Sequence, residues 1–320
     1  MLTLLIAGAM ALAPLPASVQ SETPLALTSM PTLHGTLRTP DTATRAVAVI
    51  LPGSGPTDQD GNSLNNGTPL QVRAATYRLL AEGLAEQGVA TLRIDKRGIG
   101  RSLLAGGDER SLRFDAFISD ARAWAVEAAT RTGRPCAWLI GHSEGALVAL
   151  GAVREPDDRI CGLVLLAPAG RPAATVIAEQ LAGLPEPLKA QAMAGLADLV
   201  AGRETANVPG LESLFRSSVQ PYLISWFALD PAGLAAAYSG PVMIARGTTD
   251  IQVSAADLDA LAAARPDATV ARFEGVNHVL KVAPADRAGN IATYSDPDLP
   301  LAPGVEEAVG DFILSHSPEG

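Results

Sequence analysis

Ser143 stands between two glycines in Gly141-His142-Ser143-Glu144-Gly145. An apolar run, residues 136–140, precedes it, and an Ala/Leu-rich stretch, residues 146–153, follows. A serine on a sharp strand-to-helix turn is how an exposed hydroxyl nucleophile is built. The glycines let backbone segments approach where a Cβ would not fit. The turn also sets the serine at a helix N-terminus, whose N–H groups can face a developing negative charge. Chance supplies about 0.2 such pentapeptides in a chain of this composition. The rest of the chain must therefore carry the argument.

Acyl transfer needs a base for the serine proton, an acid that orients the base, and donors for the oxyanion. The chain has four histidines. His34 precedes the expected sheet, His316 falls in the last expected helix, and His142 adjoins Ser143 and should point away from its hydroxyl. His278 remains, in the loop Gly275-Val276-Asn277-His278 after the last expected strand. An unperturbed imidazole titrates near pH 6.5, at about the right place for a base working near neutrality. The acid should leave a strand between the two. Asp250 does so through Gly247-Thr248-Thr249, whereas Leu166-Ala167-Pro168-Ala169-Gly170 carries no acid. Asp257 and Asp259 fall in the next helix and read as solvated. The order Ser143, Asp250, His278 is that of a nucleophile-elbow hydrolase. The oxyanion donors expected are the amides of Glu144 and Ser54, with Gly55 as the rival to Ser54.

These residues need a frame that delivers them to one rim. Residues 32–38, 46–51, 89–94, 136–140, 161–166, 241–246 and 268–273 read as strands. Residues 70–87, 113–132, 145–153, 255–264 and 305–316 read as helices, with Gly133 ending the second. Residues 20–32 read as a linker. Alternating strands and helices imply an α/β protein with a mostly parallel sheet covered on both faces. Functional groups then gather at the carboxyl ends of the strands. The alternation stops after Pro168, and residues 171–237 show helical patterns alone. The expected organisation is a core of residues 32–170 and 238–320 with a helical cap, 171–237, inserted into it.

With 320 residues and 48% apolar content, the chain can bury a sizeable core. A net charge of −10 disfavours a nucleic-acid partner. Residues 1–22 read as a signal peptide: an apolar run followed by small residues, too short for a stable membrane span. No Lys or Arg precedes Arg38, so the usual basic start is missing. A secreted or periplasmic location is expected, with a cytoplasmic one the alternative. Cys136 and Cys161 open runs that should be neighbouring strands, spaced about as a disulfide requires. Two buried thiols are the alternative.

Other motifs carry less. In Asp58-Gln59-Asp60-Gly61-Asn62 the glycine comes too early for a calcium loop, and Pro69 stands where its glutamate should be. Gly98-Ile99-Gly100-Arg101-Ser102 lacks the Lys-Ser/Thr pair of a phosphate loop. Both read as structured loops, and no metal site is expected, since the cysteines lack neighbours at zinc spacing. Phe215, Tyr222 and Trp226 cluster in the cap with Phe227, either lining an acyl pocket or packing the cap down.

From about residue 46 to residue 316 the chain resembles the α/β-hydrolase superfamily. It looks like bacterial serine carboxylesterases of the EstD type in Leu51-Pro52-Gly53-Ser54-Gly55-Pro56-Thr57-Asp58, Asp95-Lys96-Arg97-Gly98, Gly141-His142-Ser143-Glu144-Gly145, Ser218-Val219-Gln220-Pro221-Tyr222-Leu223, Gly247-Thr248-Thr249-Asp250-Ile251-Gln252-Val253 and Asn277-His278. The resemblance implies the α/β-hydrolase fold, hydrolysis of small short-acyl esters, no metal or organic cofactor, and the triad Ser143, Asp250, His278. Pro52-Gly53 replaces the usual His-Gly oxyanion motif. Peptidase or thioesterase activity on the same scaffold, or binding without catalysis, are the alternatives. For an aminopeptidase, Glu186, Glu204 and Glu212 are the carboxylates nearest to hand in the cap.

Overall fold

The computed structural model describes residues 21–29, 31–63, 71–104 and 108–318. Eight strands form one sheet: β1 (Ser21–Leu27), β2 (Leu33–Thr39), β3 (Ala46–Leu51), β4 (Val89–Asp95), β5 (Ala137–His142), β6 (Ile160–Leu166), β7 (Val242–Gly247) and β8 (Thr269–Phe273), in the order β1-β2-β4-β3-β5-β6-β7-β8. β1 and β2 run antiparallel to their neighbours, and every later pairing is parallel. The fold is that of the α/β hydrolases.

Strands β3 and β5 are buried along their whole length and alternate between two cores. Val47, Val49, Leu51 and Leu139 face α2 (Phe114–Thr132) and α3 (Glu144–Ala152). Ala46, Ala48, Ile50, Trp138 and Ile140 face α1 (Thr76–Glu86) and α11 (Val305–His316). Helix α2 ends at Gly133, whose φ of 68° lets Arg134 N reach Ala129 O. Such a stop favours glycine. Cys136 and Cys161 are joined in a disulfide, with Cα atoms 5.3 Å apart.

Between β6 and β7 the chain forms α4 (Ala173–Leu181), α5 (Leu188–Val200), α6 (Glu212–Phe215), α7 (Gln220–Phe227) and α8 (Pro231–Ala237). Helices α4 to α7 share a core of their own, with Ile177, Leu196, Leu199, Phe215, Leu223 and Phe227 buried in it, whereas α8 buries Ala235 in the core shared with α3. Helix α9 (Ala255–Ala264) joins β7 to β8, and α10 (Arg287–Ala292) follows β8. Among the described residues no helix is long and apolar enough to cross a membrane.

Several sequence expectations change. The linker expected at 20–32 contains β1, which pairs with β2 from Ser21↔Thr39 to Leu27↔Leu33. Only Leu25 of β1 is buried, and Pro24 sits within it. An outer strand shows just this weak pattern, because it has one partner and little to cover. His34, placed before the sheet, lies inside β2. Helix α1 starts at Thr76 rather than residue 70, because Val72 pairs with Ser63 and Arg73 N binds Tyr294 O. Asp257 is fully buried rather than solvated: it caps α9 through Ser254 and pairs with Arg171. The signal-peptide expectation and Pro69 lie outside the described residues, apart from Ser21 and Glu22 in β1.

Candidate active site

Strand β5 ends at His142, and Ser143 follows with φ 54° and ψ −117°. A residue with a Cβ holds such a backbone at a cost of roughly 1–3 kcal/mol. Its neighbours impose it. Ser143 N donates to Leu166 O at the end of β6 (2.9 Å), and Ala146 N donates to Ser143 O (3.0 Å). A Cβ on Gly141 would stand 2.3 Å from Gly145 O, and one on Gly145 only 2.2 Å from Leu51 O. Both flanking glycines are therefore required by close backbone approach. The second also sets the first turn of α3 against the end of β3.

Asp250 follows β7, and His278 follows β8. His278 Nδ1 lies 2.8 Å from Asp250 Oδ2, and both side chains are buried. Asp250 Oδ1 accepts from Gln252 N (2.8 Å) and Val253 N (3.0 Å). Arg246 closes the loop by donating to the carbonyls of Asp250 and Val253. Burial pushes the Asp250 carboxyl up. The His278 imidazole and the two N–H groups outweigh it and hold the carboxyl below its ordinary value. A charged acceptor so placed can fix one imidazole tautomer and stabilise an imidazolium. Asn277 shapes the His278 loop: its Oδ1 accepts from Lys281 N, and its Nδ2 donates to Thr293 Oγ1.

Among the described residues no hydrogen bond joins Ser143 Oγ to His278; the two loops are connected through His142. Its ring centroid is 4.8 Å from that of His278, and its Nε2 is 2.8 Å from His278 O. A carbonyl only accepts, so Nε2 donates there. Nδ1 is then the acceptor, and takes the Tyr77 hydroxyl proton at 2.8 Å. The Tyr77 oxygen in turn accepts from Gly53 N at 2.9 Å. The chain of bonds runs in one direction and needs a neutral His142. Burial, and next the facing His278, hold the His142 pKa down to about 3.

That chain also ties up one of the amides nearest Ser143. Gly53 lies beside Ser143, since a Cβ on it would be 3.3 Å from Ser143 Cβ. Its N–H is committed to Tyr77, whereas no hydrogen bond among the described residues engages the N–H groups of Ser54 and Gly55. Ser54 is exposed, and Gly55 follows it at φ 67°. Glu144 N is the first amide of α3 and by position has no partner within the helix.

The aromatic residues divide. Phe215 is buried in the helical insertion's own core, where a Cβ on Gly195 would stand 2.8 Å from its ring. Its ring is used in packing there. Tyr222 and Trp226 instead stack on Phe114 of α2, at 5.9 and 6.1 Å between centroids. A cavity of about 20 Å³ is lined by Pro52, Lys96, Phe117, Asp120 and Glu144, among others, and by none of Ser143, Asp250 and His278. The loops at 58–62 and 98–102 are held by their own polar groups: Asp58 Oδ1 accepts from Asp60 N and Asn62 N, and Asp95 Oδ2 from Arg101 N. Tyr77, Lys96 and the linking role of His142 escape sequence reasoning. A polar residue ending a buried strand was the one available sign for His142.

Residues 71–273 match the family described as serine aminopeptidase, S33 (Hydrolase_4). The match includes Ser143 and Asp250 and stops before His278. No curated protein matches the chain. Among solved structures, Est1E from Butyrivibrio proteoclasticus, with ferulic acid bound, superposes with a TM-score of 0.56 at 19% identity, over 89% of this chain and 95% of that one. An esterase of Pyrococcus furiosus gives 0.56 at 17% identity, over 93% and 91%. A dienelactone hydrolase from Anabaena variabilis gives 0.52 at 15% identity, over 93% and 99%. At these identities the likeness concerns the fold.

Proposed function

The chain belongs to the serine aminopeptidase S33 family, and from that premise we propose that it is a serine hydrolase cleaving short-acyl carboxylic esters. The observation that carries the reading is the buried His278–Asp250 pair on the rim where Ser143 occupies its strained turn. Ser143 Oγ attacks the ester carbonyl while His278 Nε2 takes its proton. Asp250 holds the imidazole by Nδ1 and stabilises its cation. The amides of Ser54 and Glu144 bind the oxyanion. His278 then protonates the departing alcohol, and a water activated by the same imidazole frees the acid. In a free enzyme the Ser–His bond is often long, and it tightens once substrate is bound.

An aminopeptidase is the second reading, favoured by the family's description. It needs a carboxylate facing the substrate's ammonium. Glu186 and Glu204 are exposed and paired with Lys189 and Arg110, and Glu212 accepts from Gly210 N. Those engagements support the ester reading. The helices at 171–237 serve as the cap of the site. The Cys136–Cys161 bridge supports an oxidising, secreted or periplasmic location.

The test compares p-nitrophenyl acetate, butyrate and octanoate with amino-acid p-nitroanilides. Esters should turn over fastest, with the shorter acyl groups preferred. Ser143→Ala should abolish the p-nitrophenol burst and fluorophosphonate labelling while leaving the melting temperature nearly unchanged. Full ester turnover in that variant would refute the reading.

A further inference from the structure

Lys96 follows β4, and its side chain is almost wholly buried. Its Nζ stands over the Phe117 ring, 5.9 Å from the centroid. The ammonium makes two polar contacts, 2.6 Å to Gly53 O and 3.3 Å to Glu144 Oε1. Each leads to one of the amides assigned above to the oxyanion. Gly53 C=O and Ser54 N–H belong to one planar peptide, and in a trans peptide they point in opposite directions. A bond that pulls Gly53 O toward Lys96 therefore turns Ser54 N–H the other way. Glu144 supplies the second amide from its own backbone, and its carboxylate is anchored by the same ammonium.

Resting on the hydrolase reading, we propose that Lys96 is a positioning residue that locks the Ser54 and Glu144 amides into one oxyanion hole. A buried ion pair is weak ground for stability, since apolar replacements often do as well. Here the pair sets orientation. Gly53 is held on both sides, its N–H by the Tyr77 hydroxyl and its C=O by Lys96. The Tyr222 phenol of α7 also packs against the Glu144 carboxylate; burial first, and that charge next, raise its pKa. The insertion therefore touches the same anchor, and its seating bears on the same two donors.

The test uses Lys96→Met and the double variant Lys96→Met/Glu144→Gln. The double variant leaves no unpaired buried charge and so preserves folding. Both should lose on the order of 10² in kcat on p-nitrophenyl butyrate, with KM nearly unchanged, because the lost contacts act on the transition state. Fluorophosphonate labelling should slow, and inhibition by a trifluoromethyl ketone should weaken, by about the same factor. A double variant that keeps kcat within about threefold of wild type, or whose loss lies wholly in KM, overturns the proposal. If the wild-type protein labels normally in that experiment, the hydrolase reading survives. A wild-type protein that neither labels nor hydrolyses esters overturns both.

Discussion

His142 and His278 stand on one rim with their rings 4.8 Å apart, and their surroundings give them opposite work. His278 faces a buried carboxylate, so a proton arriving on its ring meets a compensating charge. His142 faces a hydroxyl and a carbonyl, and its pKa is held down to about 3, first by burial and then by His278 itself. One imidazole has a carboxylate for its partner, and the other has only neutral partners and stays uncharged. A residue's type says little about its role here; the partner on the far nitrogen decides. Two ionisable rings so close would compete for one proton if their partners were alike. The Tyr77–His142 chain avoids this by keeping His142 neutral.

The most severe way to break this contrast is to make the two alike. Asp250→Asn removes the charge facing His278 and leaves a neutral partner, as His142 has. Turnover on p-nitrophenyl esters should fall by on the order of 10⁴, because the tautomer is no longer fixed and the cation no longer compensated. A loss below roughly tenfold would show that another acid serves the base. The fold should survive, since Gln252 N and Val253 N still find an oxygen acceptor at Oδ1.

The same contrast explains what the sequence made legible. Ser143, Asp250 and His278 each follow a strand end flagged by glycine or by a change of hydrophobic period, and a parallel sheet puts such ends on one rim; of the three, Asp250 and His278 are joined directly. The strands also read well where they are buried on both faces, as in residues 46–51. β1 did not, because an outer strand with one buried residue leaves almost no pattern. Nor did Tyr77, Lys96 or the role of His142. Their contacts span 24 to 136 residues in sequence and join side chain to backbone, which leaves no local spacing to recognise. Asp257 read as solvated because it falls in the helix after Asp250; it is buried against Arg171, more than eighty residues away.

The contrast can next be sharpened by pH. The folded pKa of His142 lies below its unfolded value of 6.5. Between about 6.5 and about 3 the unfolded chain binds a proton that the native state refuses, so stability falls as pH falls. Above that window neither form binds it, and the contribution vanishes. Wild type should therefore lose about 2 kcal/mol between pH 7 and pH 5 through this group alone. His142→Gln should lack that slope in urea titrations at the two pH values. Equal slopes in both proteins would place the proton elsewhere. The depressed Asp250 carboxyl acts in the same direction at lower pH: its contribution is lost as pH drops below its ordinary value of 3.8.

The mildest change is Tyr77→Phe, which takes one oxygen from the middle of the chain and leaves both rings in place. Gly53 N and His142 Nδ1 then lose their partner inside a buried site. Leaving such groups unsatisfied costs about 1–3 kcal/mol, which the urea midpoint should report. Turnover should fall less than with Lys96→Met, by about tenfold or less, because the Gly53 carbonyl keeps its hold on Lys96. The pH slope assigned to His142 should persist, since burial is its largest cause and the ring stays buried. Tyr77→Phe with unaltered stability and unaltered turnover would mean that the directed chain through Tyr77 holds neither His142 nor the Gly53 turn in place.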